Sequence, residues 1–214
     1  MSSIFDYFFP PKCCACDCVG WHLCEYCRHD LADRLIDGPV DLLKDPYTGK
    51  KLLTLTSCKP SPLLRRVLHA FKYTYTEELL DVLGKLLVAR LKQFKLSPKL
   101  QIVPVPLHTS RIRERGFNQS YLLAKYISKC TDFKVANILE RTRGTFPQAQ
   151  LSRSDRVKNV QGAFALKKPD MRAPQGILLL DDVITTGSTT SECQRVLYGA
   201  GAKLIVNVAL THGL

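Results

Sequence analysis

The sequence predicts an α/β fold, a parallel sheet flanked by helices, with a small cysteine-rich module ahead of it. Three observations carry this. Strand-like apolar runs alternate with segments whose leucines recur at the helical period, the order that winds a parallel sheet. One apolar run, ILLL at 177–180, ends in two carboxylates and a Thr-Thr-Gly-Ser-Thr turn that opens a helix. Six of the nine cysteines lie between Cys13 and Cys27, in a stretch too short for much core of its own.

The chain's 214 residues fit one domain, or one domain with a small appendage. With 45% apolar and 23% charged residues it is a globular composition, which excludes disorder and collagen. No run reaches the roughly 20 apolar residues that cross a bilayer. The opening MSSIFDYFFPPK is apolar but short, carries Asp6 and no basic region, and meets Pro10-Pro11. It therefore does not read as a signal peptide, its aromatics are expected to pack on the next module, and the expected location is cytoplasmic.

The cysteines come next. Cys13-x2-Cys16 and Cys24-x2-Cys27 form two knuckles separated by seven residues, 17–23. Each knuckle can aim two thiolates at one tetrahedral ion, and two of them close a four-thiolate structural Zn2+ site. Cys14 and Cys18 are spare and leave the choice of ligands open. An iron–sulfur cluster accepts the same donors, and redox cysteines are a further alternative. A disulfide framework fits less well, because nine is an odd number and no export signal is read. The division expected is a four-cysteine zinc-binding module over 1–35 and a larger domain over 36–214.

Residues 31–51 are rich in Asp, Gly and Pro and read as a linker with turns. LLTLT at 52–56 is a short strand. Pro62 opens a helix with Leu63, Leu64, Val67, Leu68 and Phe71 on one face, and a second helix follows over 77–94. IVPV at 102–105 is a buried strand, followed by a basic loop and a helix over 118–128. A weak strand lies near Ile138, and 142–160 shows no periodicity. After the 177–180 strand comes a helix over 188–198, stopped by Gly199 or Gly201, and a last strand, LIVNVAL, at 204–210.

The net charge of +12 is uneven. Residues 101–175 hold 14 basic and 5 acidic side chains, against 15 and 11 in 1–100 and 2 and 3 in 176–214. A polyanionic ligand suits that segment, and a solvated basic face is the bland alternative.

The chemistry concentrates at ILLLDDVITTGSTT, residues 177–190. Ligands bind beyond the carboxyl ends of strands in such sheets. Gly187 lets backbone approach a phosphate at the N-terminus of a helix, where N–H groups lack partners. Thr186, Ser188 and Thr189 add hydroxyl donors. Asp181 and Asp182 repel a phosphate and suit a sugar diol, or a divalent cation bridging to one. No G-x-x-x-x-G-K-[ST] occurs, and Gly199-Ala-Gly201 follows a helix, the wrong order for a dinucleotide loop.

That stretch resembles the phosphoribosyl-pyrophosphate (PRPP) motif of type I phosphoribosyltransferases. Nearly the whole chain resembles the ComF/ComFC family of competence and DNA-uptake proteins within that superfamily. The knuckles after FPP, VPVPLHTSRIRERGFNQ at 103–119 and RTRGTFPQAQLSRSDRVKNVQGAF at 141–164 carry the resemblance.

The resemblance implies a phosphoribosyltransferase-like parallel sheet that binds PRPP with Mg2+. In it Asp181 and Asp182 hold the ribose hydroxyls. Val183 and Ile184 lead into Thr185, Thr186, Gly187, Ser188 and Thr189 around the 5-phosphate. Arg111, Arg113 and Arg115 suit pyrophosphate, a dense anion. The stretch 142–160 resembles a mobile hood loop, with Gln148, Arg153, Arg156 and Asn159 reaching in.

One position departs from the pattern. Purine-salvage members carry an acid at the place of Thr185, and threonine cannot act as base at neutral pH. His108 is a conceivable substitute. The resemblance therefore implies either of two functions. One is a PRPP-binding protein handling incoming single-stranded DNA with other competence proteins. The other is a transferase with an unidentified acceptor. Trp21, His22 and Tyr26 on the knuckles could supply stacking to a single strand, with Trp21 in the module's own core as the alternative.

Overall fold

The computed structural model describes residues 10–36, 41–49, 51–144 and 158–213. The aromatics of residues 1–9 lie outside them.

Helix α1 (Glu25–Ala32) carries the second knuckle. Strands β1 (Asp41–Lys44) and β2 (Lys51–Thr56) form a hairpin, so the stretch expected to be linker contributes an edge strand. Asp45, Pro46 and Gly49 lie in the hairpin's turn, where Asp45 accepts from the N–H groups of Tyr47 and Thr48.

Helices α2 (Pro62–Tyr73) and α3 (Glu77–Lys92) start at side-chain caps. Ser61 accepts from Leu64 N–H at 3.1 Å and Thr76 from Leu79 N–H at 3.2 Å, and Pro62 sits where its missing N–H costs nothing.

Strand β3 (Gln101–Pro104) leads into α4 (Thr109–Arg115), then α5 (Gln119–Cys130) and the short β4 (Lys134–Val135). The basic segment after β3 is thus a helix where a loop was expected. His108 caps it, its ring nitrogen accepting from Ser110 N–H, and Gly116 ends it in the left-handed region at φ 82°. Strands β5 (Leu139–Arg141) and β6 (Phe164–Leu166) pair antiparallel. The chain closes with β7 (Gly176–Leu180), β8 (Val183–Ile184), α6 (Ser188–Gly199), β9 (Leu204–Ala209) and β10 (Thr211–His212).

The main sheet has six strands in the order β1-β2-β9-β7-β3-β4, parallel except for the β1–β2 edge. Side chains alternate across it with period two. Leu178, Leu180, Val206 and Val208 face α2, α3 and α5 in one core, and Ile177, Leu179 and Ile205 face Cys193 and Leu197 of α6 in the other. Burial on both faces explains why β7 reads as an unbroken apolar run.

The knuckle region shares the first of these cores. Cys13, Leu23, Cys27 and Leu31 pack in the cluster that holds Leu64, Phe71 and Leu83. Arg66 of α2 donates to the carbonyl of Ala15 at 2.6 Å. Glu78, at the start of α3, accepts from the N–H groups of His22 and Leu23 at 3.3 and 3.1 Å and pairs with Arg28. No helix among the described residues is long and apolar enough to cross a membrane.

Candidate ligand cavity and metal centre

Strand β7 ends where a cavity of about 580 Å3 opens. The backbone holds the two carboxylates at its floor: Asp181 N–H donates to the carbonyl of Val208, and Leu210 N–H donates to the carbonyl of Asp182. Asp181 Oδ1 accepts from Ser120 Oγ at 3.1 Å and from Asp182 N–H at 2.9 Å. Asp182 accepts from Val183 N–H at 2.8 Å and pairs with Lys72 Nζ of α2 at 2.7 Å.

The two acids are driven apart. Burial, then the neighbouring charge of Asp182, pushes Asp181 up to about 7. Burial opposes ionisation of Asp182 as well, but Lys72 outweighs it and holds that carboxyl below the usual range. Lys72 is raised in turn by Asp182.

Beyond the carboxylates the chain turns through β8, which pairs in parallel with β10, into α6. Gly187 caps α6 at φ 78°, a conformation glycine adopts without strain, and offers no side chain to the N–H groups of the first turn. Thr186 Oγ1 lies 2.8 Å from Ser188 Oγ. The turn therefore combines backbone donors, hydroxyls and the positive end of a helix dipole, which is chemistry for a phosphate.

Helix α4 forms the facing wall. Arg111 and Arg115 line the cavity and Arg113 does not. Positions four apart share a helix face and the one between them points away, so Arg113 is exposed. Arg111 pairs with Glu114 at 2.7 Å. Arg115 lies 5.5 Å from the ring of Tyr73 and donates to Gln119 at 3.4 Å, while its Nε is buried with no hydrogen-bond partner among the described residues. An anion in the cavity is the natural partner for that group.

Four cysteines gather beside α2, whose Arg66 reaches the carbonyl of Ala15. The sulfurs of Cys13, Cys16, Cys24 and Cys27 all lie within 4.8 Å of one another, and those of Cys16 and Cys24 are 3.6 Å apart. A tetrahedral ion with Zn–S bonds of about 2.3 Å needs sulfurs about 3.8 Å apart, so the set fits a four-thiolate metal. Cys14 and Cys18 fall outside the group. Cys13 N–H donates to the carbonyl of Cys18 at 2.8 Å, a knuckle turn completed by Asp17 at φ 62°.

Relatives by sequence decide the family. No family model matches the chain. It is 32% identical over 188 residues to competence protein F of Haemophilus influenzae, covering 85% of this chain and 81% of that protein. It is 34% identical over 172 residues to DNA utilization protein YhgH of Escherichia coli K12, covering 76% and 72%.

The chain belongs to the ComF family. Competence protein ComFC of Streptococcus pneumoniae, another relative, is 31% identical over 131 residues, 61% of this chain and 55% of that one. Among solved structures, adenine phosphoribosyltransferase from Saccharomyces cerevisiae is 10% identical, with a TM-score of 0.42 over 88% of this chain and 89% of that one. The Rhodothermus marinus enzyme of that name is 12% identical, with a TM-score of 0.41 over 87% and 98%. Likenesses at that level say nothing about this chain's ligand.

In this ComF protein the cavity brings together Asp181, Asp182, Val183, Ile184, Thr185, Gly187, Ser188, Thr189, Arg111 and Arg115. Thr186, expected at the phosphate, is not part of that lining; its hydroxyl is engaged with that of Ser188. Of the hood residues, Gln148, Arg153 and Arg156 lie outside the described residues, and Asn159 is not on the cavity wall. His108 lines the cavity while capping α4. The sequence reading missed Arg65, His69, Lys72 and Tyr73 of α2, and Arg141 of β5, all on the wall. The α2 residues were legible in principle: the predicted apolar face of that helix implies a polar face at 65, 69, 72 and 73, spaced to form one stripe.

Proposed function

We propose that this ComF protein binds PRPP in the cavity and acts in competence, handling incoming single-stranded DNA. One observation carries the reading: the carboxylate pair ending β7, the Gly187 turn into α6, and Arg111 and Arg115 all open on one cavity. Asp181 and Asp182 accept from the ribose hydroxyls, the Thr185–Thr189 turn donates to the 5-phosphate, and the two arginines face pyrophosphate. Asp181 and Asp182 would also hold Mg2+, which would supply positive charge to offset pyrophosphate. The carboxylates at the floor suit this, because they are acceptors set beside an anion site. The relatives named for competence and DNA utilization support the cellular role.

The thiol set is assigned to structural Zn2+, in a module spanning 1–35 ahead of a phosphoribosyltransferase-like domain spanning 36–214. Trp21 is 48% exposed with Arg28 5.9 Å from its ring, and Tyr26 is 80% exposed, which favours stacking with a single strand over a role in the module's core.

The alternative is an active transferase, in which an acceptor attacks the anomeric carbon as pyrophosphate leaves. The cations on the cavity wall, Arg65, Lys72, Arg111, Arg115 and Arg141, favour a departing polyanion. Thr185 offers no base, so the acceptor must arrive as a free nucleophile or find a base elsewhere.

Calorimetry with PRPP, with and without Mg2+, tests the first reading. Binding is expected, and it is expected to vanish in Asp181→Asn/Asp182→Asn. No binding to the wild-type chain overturns it. Pyrophosphate release across an acceptor screen separates the transferase from the binding protein. Affinity for single-stranded DNA should fall steeply with salt, and affinity indifferent to salt counts against the DNA role.

A further inference from the structure

Helix α2 adds a wall to the cavity on which the PRPP-binding reading leaves Arg65, His69 and Tyr73 unassigned. Arg65, His69 and Tyr73 recur at every fourth position and line it together. At 1.5 Å per residue the stripe is about 12 Å long. Its two ends differ in chemistry. Tyr73 is 52% exposed, its ring centre 4.9 Å from that of His69, with the Arg115 guanidinium 5.5 Å away. This is a stacking surface for a flat ring. Behind it Phe117 packs edge-on against Tyr75 at 5.2 Å and lies 6.0 Å from Phe71, which braces the end of the helix. At the far end Arg65 presents an exposed guanidinium. Lys72, between the two ends, is committed to Asp182.

We propose that this stripe is a second ligand subsite, taking a nucleotide whose base stacks on Tyr73 and His69 and whose phosphate meets Arg65. A ring at one end and a cation two helical turns away match an aromatic base joined to a phosphate through a sugar. A free nucleotide and the terminal nucleotide of a single strand share that chemistry. The subsite rests on the PRPP reading only in that both ligands occupy one cavity.

The test is calorimetry on the full chain with saturating PRPP and Mg2+, using dAMP, deoxyadenosine and a 5′-phosphorylated oligodeoxyadenylate as probes. PRPP binding is measured first, so failure of the PRPP reading is seen separately, and the probes are then also run without it. The wild-type chain is expected to bind dAMP, with deoxyadenosine about 10-fold weaker. Tyr73→Ala should weaken dAMP about 10-fold, and Tyr73→Phe should restore it. Arg65→Gln should erase the difference between dAMP and deoxyadenosine. Tighter binding of the oligonucleotide than of dAMP identifies a strand end as the source, and equal or weaker binding a free nucleotide. The proposal is overturned if dAMP does not bind the wild type. It is equally overturned if dAMP binds Tyr73→Ala and Arg65→Gln as tightly as the wild type, or if PRPP simply displaces it. Thermal melts of each variant check that it is folded; all the substituted side chains are exposed.

Discussion

Arg66, midway along α2, donates to the carbonyl of Ala15 beside four gathered thiols, and at the end of the same helix Lys72 holds the carboxylate of Asp182. The thiol region collects groups of one kind and needs an ion to join them. The cavity sets opposite charges against each other and satisfies them in part, leaving the carboxyl of Asp181 raised and the Nε of Arg115 without a partner among the described residues. The first arrangement suits a permanent occupant and the second an exchanging one. Metal loss should therefore unfold the chain, whereas cavity substitutions should spare the fold and remove binding.

Five substitutions test that contrast. The largest effect is expected from Cys24→Ser. It should remove the metal and lower the melting temperature by roughly 10 °C, read by metal analysis, with about one Zn2+ per chain in the wild type, and by scanning calorimetry. Metal loss without a drop in melting temperature would break the contrast.

Asp181→Asn is next and should do the opposite to stability. The carboxyl titrates near 3.9 when unfolded and at about 7 when folded, so its favourable contribution is present below pH 4 and lost as pH rises through 7. The variant should therefore be more stable than the ligand-free wild type at pH 8, by about 1–3 kcal/mol, and no more stable at pH 4. Urea melts at the two pH values check this, and PRPP binding should be lost at both.

Glu78→Gln probes the joint between the regions. It weakens the acceptor for His22 and Leu23 and discharges the Arg28 pair, at a cost of about 1–2 kcal/mol, while the metal stays bound. Metal analysis after denaturant titration separates the two effects.

The smallest effect distinguishes two arginines on different faces of α4. Arg115→Ala should weaken PRPP binding about 10-fold, whereas Arg113→Ala should leave affinity within about twofold and stability within about 0.5 kcal/mol. Equal losses from both would mean that α4 does not meet the ligand through its 111–115 face.

Much of this was legible in the sequence. The carboxylates, the Gly187 turn and the paired knuckles each sit within a few residues of chain, so order alone places their groups together. The 103–119 segment was harder. Its arginines were read as equals in a loop, because the helix that sorts them depends on a cap at His108 and a stop at Gly116 too short-ranged to show as periodicity. The α2 stripe was missed because its partners, Asp182 and Arg115, lie far along the chain.

The alternation that builds the sheet, the phosphate-suited turn at the end of β7 and the thiols available to a metal follow from residue order alone. These are local properties, set by side-chain type and spacing. Only the tertiary structure decided which charges share the cavity and how far the two acids diverge. It also decided that the knuckles and the sheet's helices share a core, because burial and Coulomb interactions depend on distance through space rather than along the chain.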